Sequence, residues 1–254
     1  MNDVARRKLL TGLASLPLAT VLANPHIAKA VAAGLEEVKV ATPSGRTVQA
    51  SLAVPGKVHA PAVMLIHEWW GLNDQIKAVA AELAKEGYLA LAVDLYDGKS
   101  TTLREEAQAY MQGVVREDAQ ETLETWVSWL RANARVQGGV GTVGWCFGGG
   151  WSLNASIDSP VEATVVYYGR VNQPEDELAN LKSPVLGHFA TKDQWINQEM
   201  VDGFEANMNA LGKSYEVFWY EAEHGFANPT SSRYDEKDAK QAWERTVQFF
   251  KDNL

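Results

Sequence analysis

Apolar and polar positions divide the chain into an amino-terminal stretch, a hairpin, and a long alternation of short apolar runs with helical periods. Val38 and Val40, then Val48, Ala50, Leu52 and Val54, take every second position on either side of Pro43-Ser44-Gly45. A period of two across a turn predicts an antiparallel hairpin. After it the alternation stops. The runs 62–66, 88–93, 140–144, 163–168, 185–190 and 215–220 have no polar face, the pattern of strands buried on both sides. Between them, spacings of three and four predict helices over 75–86, 103–133, 149–157, 197–211 and 237–250. Strand and helix in alternation make the fold class α/β, with a mostly parallel, doubly wound sheet behind an antiparallel hairpin. Neither a Ser/Gly-rich linker nor a repeat interrupts it, so residues 31–254 read as one domain.

The first thirty residues follow a different pattern. Arg6-Arg7-Lys8 precedes an apolar stretch from Leu9 to Ala23, and Ala28-Lys29-Ala30 follows. This is the layout of a signal peptide spanning 1–30, with a small-x-small cleavage site. The apolar stretch contains Thr11, Gly12, Ser15 and Pro17 and falls short of the roughly 20 apolar residues that span a bilayer. A permanent membrane anchor is therefore not expected. Adjacent arginines before a modest apolar run resemble a bacterial twin-arginine signal, which makes the export machinery a partner and the destination periplasmic or secreted.

Composition narrows the chemistry. With 254 residues, 46% hydrophobic and 22% charged, the chain is an ordinary globular protein with material for a large core. Its net charge of -9 has the wrong sign for a phosphate backbone, so nucleic acid is not an expected partner. A single cysteine cannot form an internal disulfide. It stands in Gly144-Trp145-Cys146-Phe147-Gly148, the cysteine version of the G-x-S-x-G elbow, between a predicted strand and a predicted helix. Glycines are needed there because a sharp strand-to-helix turn brings backbones close together. The free N–H groups of the following helix favour thiolate over thiol.

A hydrolase of this architecture places an acid and then a histidine later in the chain, each after a strand. Asp193 follows the run ending at Ala190, and His224 follows the run ending at Tyr220. His224 would exchange protons with sulfur and water, and Asp193 would fix its tautomer. The segment His67-Glu68-Trp69-Trp70 leaves an early strand where an oxyanion loop belongs. The N–H groups of Trp69 and Phe147 are the candidate donors, and Glu68 lies beside the same loop. Trp70, Tyr96, Trp145, Trp195 and Asn228 are candidate substrate-lining residues. His67 and His188 read as core or supporting groups. No spacing suggests a metal site, and the chemistry requires no cofactor.

These residues resemble the dienelactone hydrolase, or carboxymethylenebutenolidase, family. The likeness rests on Glu68 with Gly71-Leu72-Asn73, Asp94-Leu95-Tyr96, Gly144 to Gly149, Tyr167-Tyr168-Gly169, Asp193 and His224-Gly225-Phe226, and it covers nearly all of 31–254. It implies an α/β-hydrolase fold, Cys146 as nucleophile with His224 and Asp193, and Glu68 as a carboxylate in contact with the thiol. It also implies a resting sulfur that keeps its proton until bound substrate displaces Glu68. The family holds a substrate carboxylate with two arginines. Here Asp97-Gly98-Lys99 and Asn228 stand at those places, and neither lysine nor asparagine reproduces an arginine fork. The expected activity is hydrolysis of a small ester or lactone through an acyl-thioester. A non-catalytic α/β-hydrolase-like module binding a ligand or partner protein in the same cleft is the alternative that fold alone permits.

The leader is testable by itself. Replacing Arg6 and Arg7 by lysine should hold the precursor in the cytoplasm of a bacterial host, whereas the unaltered chain should yield a mature protein beginning near Val31. Undiminished export of the double variant, measured by fractionation, would remove the twin-arginine assignment.

Overall fold

The structure is a computed structural model that describes residues 18–254; Arg6, Arg7 and Lys8 lie outside the described residues. Eight strands form one sheet: β1 (Glu36–Ala41), β2 (Thr47–Ala53), β3 (Ala60–Ile66), β4 (Leu89–Val93), β5 (Val136–Trp145), β6 (Ala163–Tyr167), β7 (Val185–Ala190) and β8 (Tyr215–Tyr220). Their order across the sheet is β1-β2-β4-β3-β5-β6-β7-β8. β2 runs antiparallel to both β1 and β4, and every other neighbouring pair is parallel. The expected hairpin and parallel sheet are both present.

The faceless apolar runs follow from what covers the sheet. The helices in chain order are α1 (Leu18–Ala23), α2 (Pro25–Ala32), α3 (Asp74–Lys85), α4 (Arg104–Gln112), α5 (Arg116–Ala132), α6 (Phe147–Asp158), α7 (Glu175–Leu178), α8 (Gln198–Ala210) and α9 (Glu236–Asn253). Successive β3 residues point to opposite faces. Val63 and Leu65 pack in one cluster with Val79 and Leu83 of α3 and Phe250 of α9. Ala62, Met64 and Ile66 pack in another with Leu123, Trp126, Val127 and Leu130 of α5. A third cluster, built around Phe189, Val201, Phe204 and Met208, seats α8.

Three features depart from the sequence pattern. The single helix expected over 103–133 is two, because the chain leaves its helical path at Gly113, the C-cap of α4, and re-enters at α5. Both pieces keep the same apolar period, which conceals so short an interruption. The run 215–220 is not buried on both sides. β8 is an edge strand, with Glu216 exposed and only Tyr220 buried. Finally, residues 18–32 form α1 and α2, and Val21, Leu22, Ala28 and Val31 join the α3 cluster. Asn24 caps α2 by accepting the N–H groups of His26 and Ile27.

Candidate active site

The candidate catalytic residues lie past the carboxyl ends of strands, the edge at which open α/β sheets carry their sites. Glu68 follows β3, Cys146 β5, Tyr168 β6, Asp193 β7 and His224 β8. Cys146 itself has φ 55° and ψ −117°, a conformation that costs a residue with a Cβ free energy. Packing imposes it. A Cβ on Gly144 would collide with the Gly148 carbonyl, and one on Gly148 with the Ile66 carbonyl, so β3, β5 and α6 approach more closely than side chains allow. The Cys146 N–H donates to the Tyr167 carbonyl at 3.0 Å, and the Cys146 carbonyl accepts from Gly149 N–H at 3.0 Å. The sulfur, half-buried, is thereby fixed at the head of α6.

His224 Nε2 lies 3.1 Å from Cys146 Sγ, and its Nδ1 lies 2.6 Å from Asp193 Oδ2. The second Asp193 oxygen accepts from Trp195 N–H at 2.8 Å and Ile196 N–H at 3.0 Å. One oxygen therefore closes a turn while the other orients the imidazole. Burial pulls the imidazole down, but its hydrogen bonds to Asp193 and Cys146 outweigh that and lift His224 to about 10. The ring favours the imidazolium at neutral pH.

Glu68 is buried and does not hydrogen-bond to the sulfur. Its Oε2 accepts from Asn228 Nδ2 at 2.5 Å, and its Oε1 pairs with the Tyr168 hydroxyl at 3.3 Å. Desolvation raises its carboxyl above the ordinary range, against the opposing pulls of Asn228, His224, Tyr168 and Arg233. His67 pins the adjoining loop. Its Nδ1 donates to the Glu68 carbonyl at 2.6 Å and its Nε2 accepts Leu95 N–H at 3.2 Å, an arrangement only the Nδ1–H tautomer satisfies. Burial holds this imidazole below its usual value. Trp69 and Trp70 follow in that loop, which Thr101 N–H anchors at the Trp70 carbonyl, 3.0 Å away. Phe147 opens α6, where first-turn N–H groups lack an intrahelical acceptor.

A family model for the dienelactone hydrolase family matches residues 48–254. The chain belongs to that family. It is 29% identical over 229 residues to a carboxymethylenebutenolidase of Pseudomonas putida, covering 84% of this chain and 95% of that one. A Methylorubrum extorquens protein provisionally named carboxymethylenebutenolidase is 31% identical over 271 residues, covering 98% and 92%. A solved structure provisionally named as the dienelactone hydrolase of Klebsiella pneumoniae superposes with a TM-score of 0.76 at 25% identity, covering 85% and 98%. The protein is thus a dienelactone-hydrolase-like, carboxymethylenebutenolidase-like hydrolase with the α/β-hydrolase fold.

In this dienelactone hydrolase family member the aromatic candidates separate by environment. Trp195 is 53% exposed, its ring 5.2 Å from His224 with the Arg233 guanidinium 5.5 Å above it. Trp69 carries the Arg104 guanidinium 5.9 Å from its centroid and packs on Trp70 at 4.8 Å. Tyr96 packs on Phe147 at 5.5 Å and on His67 at 4.6 Å, its buried hydroxyl without a hydrogen-bond partner. Trp145 stacks on Tyr167 at 5.4 Å within the core, so packing accounts for it. His188 also serves the core, bonded to Tyr220 and Thr246 hydroxyls. Among the described residues no cluster of three His, Cys, Asp or Glu side chains is arranged to hold a metal ion.

Sequence pattern alone missed Tyr168 as a functional group. Its backbone φ of 35° places a fully buried ring 5.1 Å from His224 and its hydroxyl on Glu68. The available signal was the pair Tyr168-Gly169 at the end of β6. Gly169 there abuts the backbone of Gly149.

Proposed function

We propose that the protein hydrolyses ester or lactone carbonyls with Cys146 as nucleophile, passing through an acyl-thioester. The hydrogen-bonded chain from Cys146 through His224 to Asp193 carries this reading. Sγ attacks the carbonyl carbon, and the developing oxyanion is met by the N–H groups of Phe147 and Trp69. As the intermediate collapses, the His224 Nε2 proton goes to the departing oxygen. Neutral His224 then takes a proton from water, whose oxygen attacks the thioester and releases the acid. Asp193 keeps Nδ1 protonated throughout. Ester and enol ester leaving groups suit the site better than amides. Thiolate is expelled from a tetrahedral adduct more easily than an unprotonated amine.

Substrate charge follows from the surroundings. Asn228 has both side-chain polar atoms engaged within the protein, and Lys99 lies over Tyr110, 5.8 Å from its centroid. Exposed Arg104 and half-buried Arg233 sit over indole rings at the rim, where solvent screens their charge. Neutral acyl compounds are the proposed class. Export through the twin-arginine route, read from Arg6-Arg7, places the activity in the periplasm or outside the cell. Cleavage after Ala30 would detach α1 and most of α2 from α3.

Two measurements check this reading. Alkylation of Cys146 in the folded protein, or Cys146→Ala, should reduce hydrolysis of an aryl ester at least about a thousandfold with the circular dichroism spectrum unchanged. Full activity after complete alkylation would exclude the cysteine mechanism. For a matched pair of lactones, one with and one without a carboxylate, kcat/KM should favour the neutral member. A strong preference for the carboxylated one would assign substrate recognition to Arg104 or Arg233.

A further inference from the structure

Asn228 stands where the family resemblance puts a substrate-binding arginine, yet its side chain is turned inward and only 4% exposed. Its Oδ1 accepts the Thr230 N–H at 2.9 Å and the Thr230 hydroxyl at 2.7 Å. Two donors on the oxygen fix the amide orientation, so the atom facing Glu68 is Nδ2, a donor. The turn that carries it is fixed as well. Asn228 N–H donates to the Gly225 carbonyl at 3.0 Å, and Ser231 N–H to the Asn228 carbonyl at 2.9 Å. Glu68 therefore has one oxygen on Asn228 and the other on Tyr168, while the sulfur pairs with His224.

We propose that Asn228 is a positioning residue that parks Glu68 away from Cys146, so that the sulfur rests with its proton on His224 Nε2 and turnover starts without a substrate carboxylate to displace Glu68. This deepens the proposed function and rests on it for the role of the sulfur. An arginine at this place could exchange Glu68 for a substrate carboxylate, because its charge attracts both. A neutral amide with its oxygen already committed has no such second partner. For Glu68 to reach the sulfur it must strand a buried Nδ2 and leave the Tyr168 hydroxyl. Tyr168 cannot follow, since its ring is wedged between His224 at 5.1 Å and Phe226 at 5.5 Å. Both bonds to Glu68 come from donors and favour its carboxylate against the upward pull of burial, and a carboxylate freed toward the sulfur would favour the thiol over the thiolate. The Asp193 carboxylate, 2.6 Å from Nδ1, favours the imidazolium form of the ring that faces the sulfur.

The lock is read without substrate, from the ultraviolet absorbance of the thiolate and the rate of alkylation by iodoacetamide at neutral pH on the full chain. Asn228→Ala should release Glu68 onto the sulfur and lower both signals about tenfold. Adding Glu68→Gln to that variant should restore them, which a merely loosened fold would not do. Glu68→Gln alone should leave both within about twofold, and it decides the matter if Asn228→Ala fails to fold. Unchanged signals in Asn228→Ala, no recovery in the double variant, or a large change in Glu68→Gln alone would each overturn the proposal. A protein that shows the resting thiolate but hydrolyses no ester would instead refute the proposed function and leave the lock standing.

Discussion

The close approach of β3, β5 and α6 around Gly144 and Gly148 is the constraint on which the site depends. With no Cβ at either position, the chain can turn at the end of β5 within one residue, and that residue takes the strain at φ 55°. The cost is met by packing on both sheet faces, where β3 alone contributes five side chains to two separate clusters. Once the elbow is set, the parallel strands on its far side place Tyr168, Asp193 and His224 along one edge. Cys146 needs no motion to meet His224. Their separation follows from strand register.

Much of this was legible in the sequence because the sheet is covered on both faces. Burial on two sides removes polar faces from a strand, so β3, β4, β6, β7 and the buried second half of β5 read as apolar runs, and Glu68, Cys146, Tyr168 and Asp193 stand within three positions of the strand ends. The exceptions have local causes. β8 is apolar yet lies at the edge of the sheet, a distinction that depends on neighbours rather than on its own residues. The break at Gly113 leaves the helical period in phase. The helices formed by residues 18–32 are rich in small apolar residues, which signal peptides and packed helices share, so composition alone cannot separate an address from a structural element. In the structure Val21, Leu22 and Ala28 pack on the body of the protein.

Within the site, the chain of contacts from Cys146 through His224 to Asp193 was legible in the sequence, and the partners of Glu68 were not. Cys146, Asp193 and His224 are recognisable because an elbow, an acid and a histidine must follow strands in that order. Glu68 was legible as a carboxyl beside the oxyanion loop, but its partners were not. Asn228 and Tyr168 reach it from segments far away in sequence, 160 and 100 residues distant. Asn228 attracted notice only as a missing arginine. The structure gives it a different task, because an amide that spends its oxygen on Thr230 can only donate toward Glu68. In the proposed function and the proposed lock, substrate selectivity and the resting state of the sulfur meet in this one side chain.

The most direct test of the account is to observe the covalent intermediate. A neutral aryl ester with a bulky acyl group, chosen so that the thioester hydrolyses slowly, can be mixed with enzyme, acid-quenched and examined by intact-mass and peptide mass spectrometry. One acyl group on the peptide containing Cys146, appearing in step with a stoichiometric burst of phenol and decaying as substrate is exhausted, is the predicted result. Phenol release with the acyl group on another residue, or with no acyl-protein through the burst, would contradict it.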